Sequence, residues 1–134
     1  MPSRYVKRMK FNASELAQIR RRFSDYIWVA VDVERGMIAA GDQFLFDLRD
    51  ELLYKHSRPR DIFGVGVDLK TGEIFYAEVI NRMNSLYRLY RDIPKQKKDR
   101  IETLINYFFG DFAPFKRPSG APRYAKPQAL MPTC

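Results

Sequence analysis

Tyr26-Ile-Trp-Val-Ala-Val-Asp-Val33 is the segment from which the architecture can be read outward. Ile27, Val29, Val31 and Val33 fall on one side of an extended chain, and Tyr26, Trp28 and Ala30 fall on the other. Both sides stay apolar until Asp32, so the segment reads as a central strand covered on both faces. Glu34-Arg-Gly-Met37 supplies a turn, with Gly36 free to take positive φ, and Met37 to Ala40 returns antiparallel. Gly41 fits a bulge or a close backbone approach, and Gln43 to Phe46 continues the same strand. A second hairpin follows. Phe63, Val65, Val67 and Leu69 alternate with Gly64 and Gly66, Asp68 to Glu73 makes the connection, and Ile74 to Ile80 returns. Two glycines on one face leave a flat patch on which something must pack closely.

Helices flank this sheet. Asn12-Ala-Ser-Glu15 has the form of a capping box, and Leu16, Ile19 and Phe23 follow at helical spacing, predicting a helix over 13–24. Arg21 and Arg22 point away from its apolar side, with Arg20 at the border. Asp47 to Glu51 starts a second helix, with Leu48 and Leu52 inward. Asp92 and Pro94 open a third, in which Ile101, Leu104, Ile105 and Phe108 share a face and which Gly110 stops. Residues 1–11 read as a short arm or an edge strand, and no internal repeat is expected. The predicted fold is α+β: a mainly antiparallel sheet of four to five strands in two hairpins, flanked by N- and C-terminal helices. Residues 1–110 form a single domain, and residues 111–134, with five of the eight prolines, form an extended basic arm.

At 134 residues and 46% hydrophobic content, the chain suits one domain with a true core. Its one cysteine, Cys134, allows no disulfide within the chain and points to a reducing, cytoplasmic setting. Residues 1–10 lack the apolar stretch of a secretory signal, and no apolar run is long enough to span a membrane. The net charge of +8 is unevenly spread. Residues 1–22 carry seven basic and one acidic side chain, whereas residues 23–81 carry six basic and eleven acidic. Residues 82–110 and 111–134 are again basic. This segregation fits an anionic partner, and it fits equally well basic ends that pack on an acidic middle.

Catalytic chemistry finds little to use. One His and one Cys exclude a nucleophilic triad and a zinc site, and His56 reads as a solvated surface residue. Gly64-Val-Gly66 lies inside a strand and so cannot be a phosphate loop. Asp32 and Glu34 are the weak metal candidates: period-2 spacing puts both on one face, Asp42 is expected across the hairpin, and Asp47 follows. Such carboxylates could serve a Mg-dependent phosphodiesterase, or they could form a solvated acidic hairpin end. Asp68-Leu-Lys70 echoes an acid-x-lysine nuclease element, although here it belongs to a turn. No catalytic residue and no cofactor is assigned. The binding candidates are cations: Arg20, Arg21 and Arg22 on the first helix, and Lys95, Lys97, Lys98 and Arg100 at the N-terminal end of the last, where the helix dipole disfavours them. Lys116, Arg117, Arg123, Tyr124 and Lys126 interleave cations with aromatic residues in the arm, a composition suited to phosphates and unpaired bases. The expected function is non-catalytic binding of RNA or a ribonucleoprotein. The alternative is a protein–protein module, or a homodimer wrapped by its arm.

Val31-Asp-Val-Glu-Arg35, the following Ile-Ala-Ala-Gly41, Asp47, Glu51-Leu-Leu53, Phe63-Gly64 and Ile80-Asn81 together resemble a prokaryotic domain-of-unknown-function family of short α+β proteins. The likeness runs from about Ile27 to Phe108. It implies a small α+β fold and no particular activity. Where that family tends to have Gly-Glu-x-His-x-Asp, this chain has Asp42-Gln-Phe-Leu-Phe-Asp47; where it tends to have Asn-Ile-Arg-Pro, this chain has Asn81-Arg-Met-Asn84. A polar site built from those positions in relatives is therefore not carried over. The basic arm lies outside the likeness.

Overall fold

The computed structural model describes residues 4–77, 81, 84, 86–87 and 89–112. Among them, five strands form one antiparallel sheet: β1 (Tyr5–Lys7), β2 (Tyr26–Asp32), β3 (Met37–Ala40), β4 (Ile62–Asp68) and β5 (Ile74–Tyr76), in the order β1-β3-β2-β4-β5. Three α-helices accompany it: α1 (Ala13–Phe23), α2 (Leu45–Tyr54) and α3 (Lys95–Phe109). The α+β class, the antiparallel sheet and both hairpins agree with the sequence pattern, and the N-terminal segment is the edge strand.

Two apolar layers sandwich the sheet. The side bearing Val29, Val31, Val65 and Val67 packs on Leu16 and Ile19 of α1 and on Ile101, Leu104, Ile105 and Phe108 of α3. The opposite side, bearing Ala30, Ala39 and Ile62, packs on Leu45, Leu48 and Leu52 of α2. The Asn12–Glu15 capping box forms as expected. Phe11 locks the helical side: it stacks on Phe109 with centroids 5.1 Å apart, and its amide donates to the Phe108 carbonyl.

Three boundaries differ from expectation. Gln43 to Phe46 does not prolong β3. The chain leaves the sheet at Gly41, φ 97°, where Asp42 accepts the Phe44 amide at 2.8 Å, and α2 begins two residues before Asp47, at Leu45. Pro94 is the N-cap of α3, just outside its first turn. The last strand ends at Tyr76 rather than Ile80: the Asn81 amide donates to the Ala77 carbonyl four residues back, and residues 78–80 lie outside the described residues.

The two hairpins are copies of one another, contrary to the expectation of no repeat. Asp25 to Ile38 and Asp61 to Ile74 align without gaps, and six of fourteen positions are identical: the leading Asp, two Val, the turn Asp, the turn Gly and the final Ile. Their geometry repeats as well. In the first turn the Asp32 carboxylate accepts the amides of Glu34 and Arg35 at 3.0 Å each, and the Gly36 amide returns to the Asp32 carbonyl. In the second, Asp68 accepts from Lys70 and Thr71, and Gly72 returns to the Asp68 carbonyl. Both glycines have positive φ, 66° and 79°. The halves also clasp each other: the Val33 amide donates to the Asp61 carbonyl, and its counterpart, the Leu69 amide, donates to the Asp25 carbonyl. In the ladder between β2 and β4, Val29 faces its own equivalent, Val65. A local twofold axis therefore passes between those two residues. Most identities are single residues separated by variable ones, which is why the repeat is faint in the bare sequence.

Gly66 shows what the flat patch accommodates. The Tyr26 ring lies across it, and a Cβ at this position would collide with the phenol. That ring is stacked on Phe75 and set edge-on to Trp28, so it has little room to retreat. Gly64 is held by Asn81, whose carboxamide accepts the Gly64 amide at 2.9 Å. Gly66→Ala should therefore destabilise the protein by about 1–3 kcal/mol through overpacking, measured by urea unfolding.

Carboxylates on α1, on α2 and just before α2 anchor the N-terminal segment. Arg4 reaches Asp42 and Glu51 at 2.7 Å each, and Lys7 pairs with Glu15 at 2.8 Å. Burial raises the Asp42 pKa, but the Phe44 amide and Arg4 outweigh it and hold the carboxyl below its ordinary value of 3.8. A depressed carboxyl adds stability that is present above the ordinary value and is lost as the pH falls through the lower folded value. Asp42→Asn should accordingly lower the unfolding midpoint at neutral pH and narrow its gap to the wild type in acid, as measured by urea titrations across pH.

Candidate functional site

An open cleft of about 860 Å³ lies where α1 turns into β2. Helix α1 ends abruptly. Ser24 takes φ 66° and ψ −149°, a conformation that side chains disfavour, and its amide still donates to the Arg20 carbonyl. This sharp exit sets the three arginines of α1 beside the first residues of β2 and the turn after β4. Phe23, Tyr26 and Trp28 supply the aromatic lining, and Gln43 and Lys70 also line the cleft.

The cleft cations differ in what holds them. Arg20 donates to the Leu69 carbonyl at 3.0 Å and approaches Asp25 at 3.3 Å. Arg22 donates to the Gly41 carbonyl at 3.0 Å and lies over the Phe23 ring. Arg21 and Lys70 are exposed and have no ion-pair partner among the described residues. Asp42 and Asp68, which also line the cleft, are engaged by Arg4 and by the second turn. The cleft thus offers two uncommitted cations beside half-buried rings.

The second basic cluster sits elsewhere. Lys97 pairs with Glu34 at 2.7 Å, and Arg100 donates to the Val33 carbonyl at 3.1 Å, both beyond the far end of β2. Seven residues of strand, roughly 20 Å, separate this cluster from the α1 arginines, so the two do not form one patch. Its members are also engaged: Lys95 with Asp99, and Lys98 with the face of Tyr90 at 3.8 Å. Two of them hold the first turn, Lys97 through Glu34 and Arg100 through the Val33 carbonyl, which gives those cations a structural task at this end of the helix. Lys116, Arg117, Arg123, Tyr124 and Lys126 lie outside the described residues.

A family-model match to proteins of unknown function, DUF5674, covers residues 5–108. The chain belongs to that family. No curated protein and no solved structure matches it. The DUF5674 span includes the cleft and both hairpins and stops short of residues 111–134.

Within the DUF5674 span, the residues that carried the likeness have visible structural tasks. Val31 to Arg35 builds the first turn, Asp47 and Glu51 face Arg4, Phe63 stacks on Tyr87, and Asn81 binds Gly64. The metal candidates divide the same way. Asp32 is 0% exposed, with one carboxylate oxygen committed to the turn and the other, Oδ2, without a hydrogen-bond partner. Glu34 is exposed and bound to Lys97, so the two carboxylates do not share a face. Asp42 lies at the opposite end of the hairpin, because the register sets Ala40 beside Val29 and Met37 beside Asp32. Among the described residues no group of three or more His, Cys, Asp or Glu side chains is arranged to hold a metal ion. His56 follows α2 with φ 71°; its amide and that of Ser57 return to Leu53 and Leu52, which is a helix-ending motif.

Sequence reasoning missed Tyr26, Trp28 and Lys70 as site residues. The rings read as core and the lysine as part of a turn, and only the tertiary meeting of that turn with α1 joins them. The turn role of Asp32 is testable. Asp32→Ala should cost about 1–3 kcal/mol, while Asp32→Asn, which keeps the acceptor, should cost less. Urea unfolding with and without Mg²⁺ checks this, with no Mg²⁺-dependent gain expected in the wild type.

Proposed function

We propose that this domain is a non-catalytic binding protein, acting in the cytoplasm, whose partner is RNA and whose contact surface is the cleft at the end of α1. The observation that carries the reading is the pairing of two uncommitted cations, Arg21 and Lys70, with the ring-lined wall of Tyr26 and Trp28. Cations of this kind neutralise phosphates, and aromatic faces accept unpaired bases, so a single-stranded segment suits the cleft better than a duplex. Arg20 and Arg22 keep carbonyl partners and add positive potential without leaving the fold. The Lys95–Arg100 cluster is not assigned to the contact, because its charges are spent on Glu34, Asp99 and Tyr90.

A protein–protein role is the second reading, favoured by Phe44 and Phe46, which are exposed at the start of α2. Fluorescence anisotropy with a short single-stranded RNA tests the first. Binding should weaken steeply with salt. Arg21→Glu and Lys70→Glu should each reduce affinity and flatten the salt slope by about 0.7 per lost contact. Lys95→Glu, at the other end of the sheet, should change little. Unaltered affinity in both cleft variants would reject the cleft as the RNA contact.

A further inference from the structure

The local twofold relates the two hairpins but not the two edges of the sheet. On the first edge, β1 pairs with β3, with Tyr5 opposite Ala40, Val6 opposite Ala39 and Lys7 opposite Ile38. The equivalents of Ile38, Ala39 and Ala40 in the second hairpin are Ile74, Phe75 and Tyr76 of β5. Among the described residues no strand pairs with the outer side of β5. The Asp68 amide bonds the Glu73 carbonyl and the Ala77 amide bonds the Gly64 carbonyl. By the alternation of an antiparallel ladder, Glu73, Phe75 and Ala77 direct their main-chain groups toward β4, and Ile74 and Tyr76 direct theirs outward. Those two residues are only 1% and 3% exposed. Buried outward-facing amides and carbonyls call for a partner strand.

The chain contains a second segment of the β1 type. β1 and its preceding residue read Arg4-Tyr-Val-Lys7, and the C-terminal segment contains Arg123-Tyr-Ala-Lys126 between Pro122 and Pro127. We propose that Arg123–Lys126 pairs antiparallel with the outer edge of β5 in the same chain, as a sixth strand placed by the twofold where β1 lies on the other side. Tyr124 then stands opposite Tyr76, Ala125 opposite Phe75 and Lys126 opposite Ile74. The alternation fits. Tyr5 and Lys7 lie on the side of the sheet that carries α1, where they meet Gln18 and Glu15, and Tyr124 and Lys126 would lie on the same side. There Glu102 and Asp99 of α3 act on Tyr76 through their charge, so a carboxylate lies within electrostatic reach of Lys126. The flanking prolines confine the added strand to a few residues and block further edge growth. Ten residues, and so eleven chain steps, separate Phe112 from Arg123, a reach of roughly 35–40 Å, which exceeds the roughly 20 Å width of the sheet. This inference does not depend on the RNA reading.

Amide hydrogen exchange on the full chain tests it. The Ile74 and Tyr76 amides should be protected, and Tyr124→Pro, which removes a main-chain donor from the added strand, should speed their exchange at least about tenfold. Ile38 and Ala40, paired with β1, should be unaffected, and Ser119→Pro should leave all four unchanged. Rapid exchange of Ile74 and Tyr76 in the wild type would overturn the proposal. So would protection that survives Tyr124→Pro, or protection that rises with protein concentration together with the molecular mass from light scattering, because the partner would then be a second copy.

Discussion

The antiparallel ladder between β2 and β4 is the interaction on which the rest of this structure depends. It is the longest pairing in the sheet, running from Tyr26 opposite Asp68 to Asp32 opposite Ile62. Each of its ends is closed by an aspartate whose carboxylate folds the next turn and by a carbonyl that the other half's turn reaches across to bind. Removing either strand would leave the partner's turn without that closing bond and would split both apolar layers. The helices cover a ladder already defined by this reciprocity. α1 and α3 share one side and α2 takes the other.

Electrostatics follows the same frame. The basic N-terminal residues and the basic start of α3 were candidates for an external anion, yet much of their charge is directed inward. Arg4 spans Asp42, Asp47 and Glu51, Lys7 holds Glu15, and Lys97 holds Glu34. Partly exposed pairs of this kind add little stability individually, but they orient edges and turns. Within the cleft, two cations stay outside any ion pair among the described residues. Arg21 and Lys70 meet at the cleft because the strained exit at Ser24 brings the end of α1 against the second turn.

The strands, the capping box and the apolar faces were legible in the sequence because each rests on a period of two or of 3.6 within one segment. The Asn12–Glu15 cap and the Ile101–Phe108 face could be read without tertiary knowledge. The strand end at Gly41 could not, since it depends on the Asp42 side chain taking the Phe44 amide rather than on any pattern. The cleft was only partly legible. Its arginines announce themselves by charge, but Tyr26 reads as core until its ring is found lying over Gly66. Asp32 misled for the opposite reason: a carboxylate at period-2 spacing looks like chemistry, and its work is to shape a turn.

The twofold axis between Val29 and Val65 has a consequence for how such a chain could be assembled. A peptide carrying one copy of the hairpin would find the carbonyl its turn requires only on another molecule, so it would be complete as a symmetric pair of identical peptides. Joining the copies through α2 releases each from the need to stay identical. Trp28 in one copy corresponds to Gly64 in the other, and the Glu34-Arg35 of one turn corresponds to the Lys70-Thr71 of its counterpart. Covalent linkage of the two halves is therefore what permits one end of the ladder to carry a ring-lined, basic recess while the other carries an acidic turn locked under a helix.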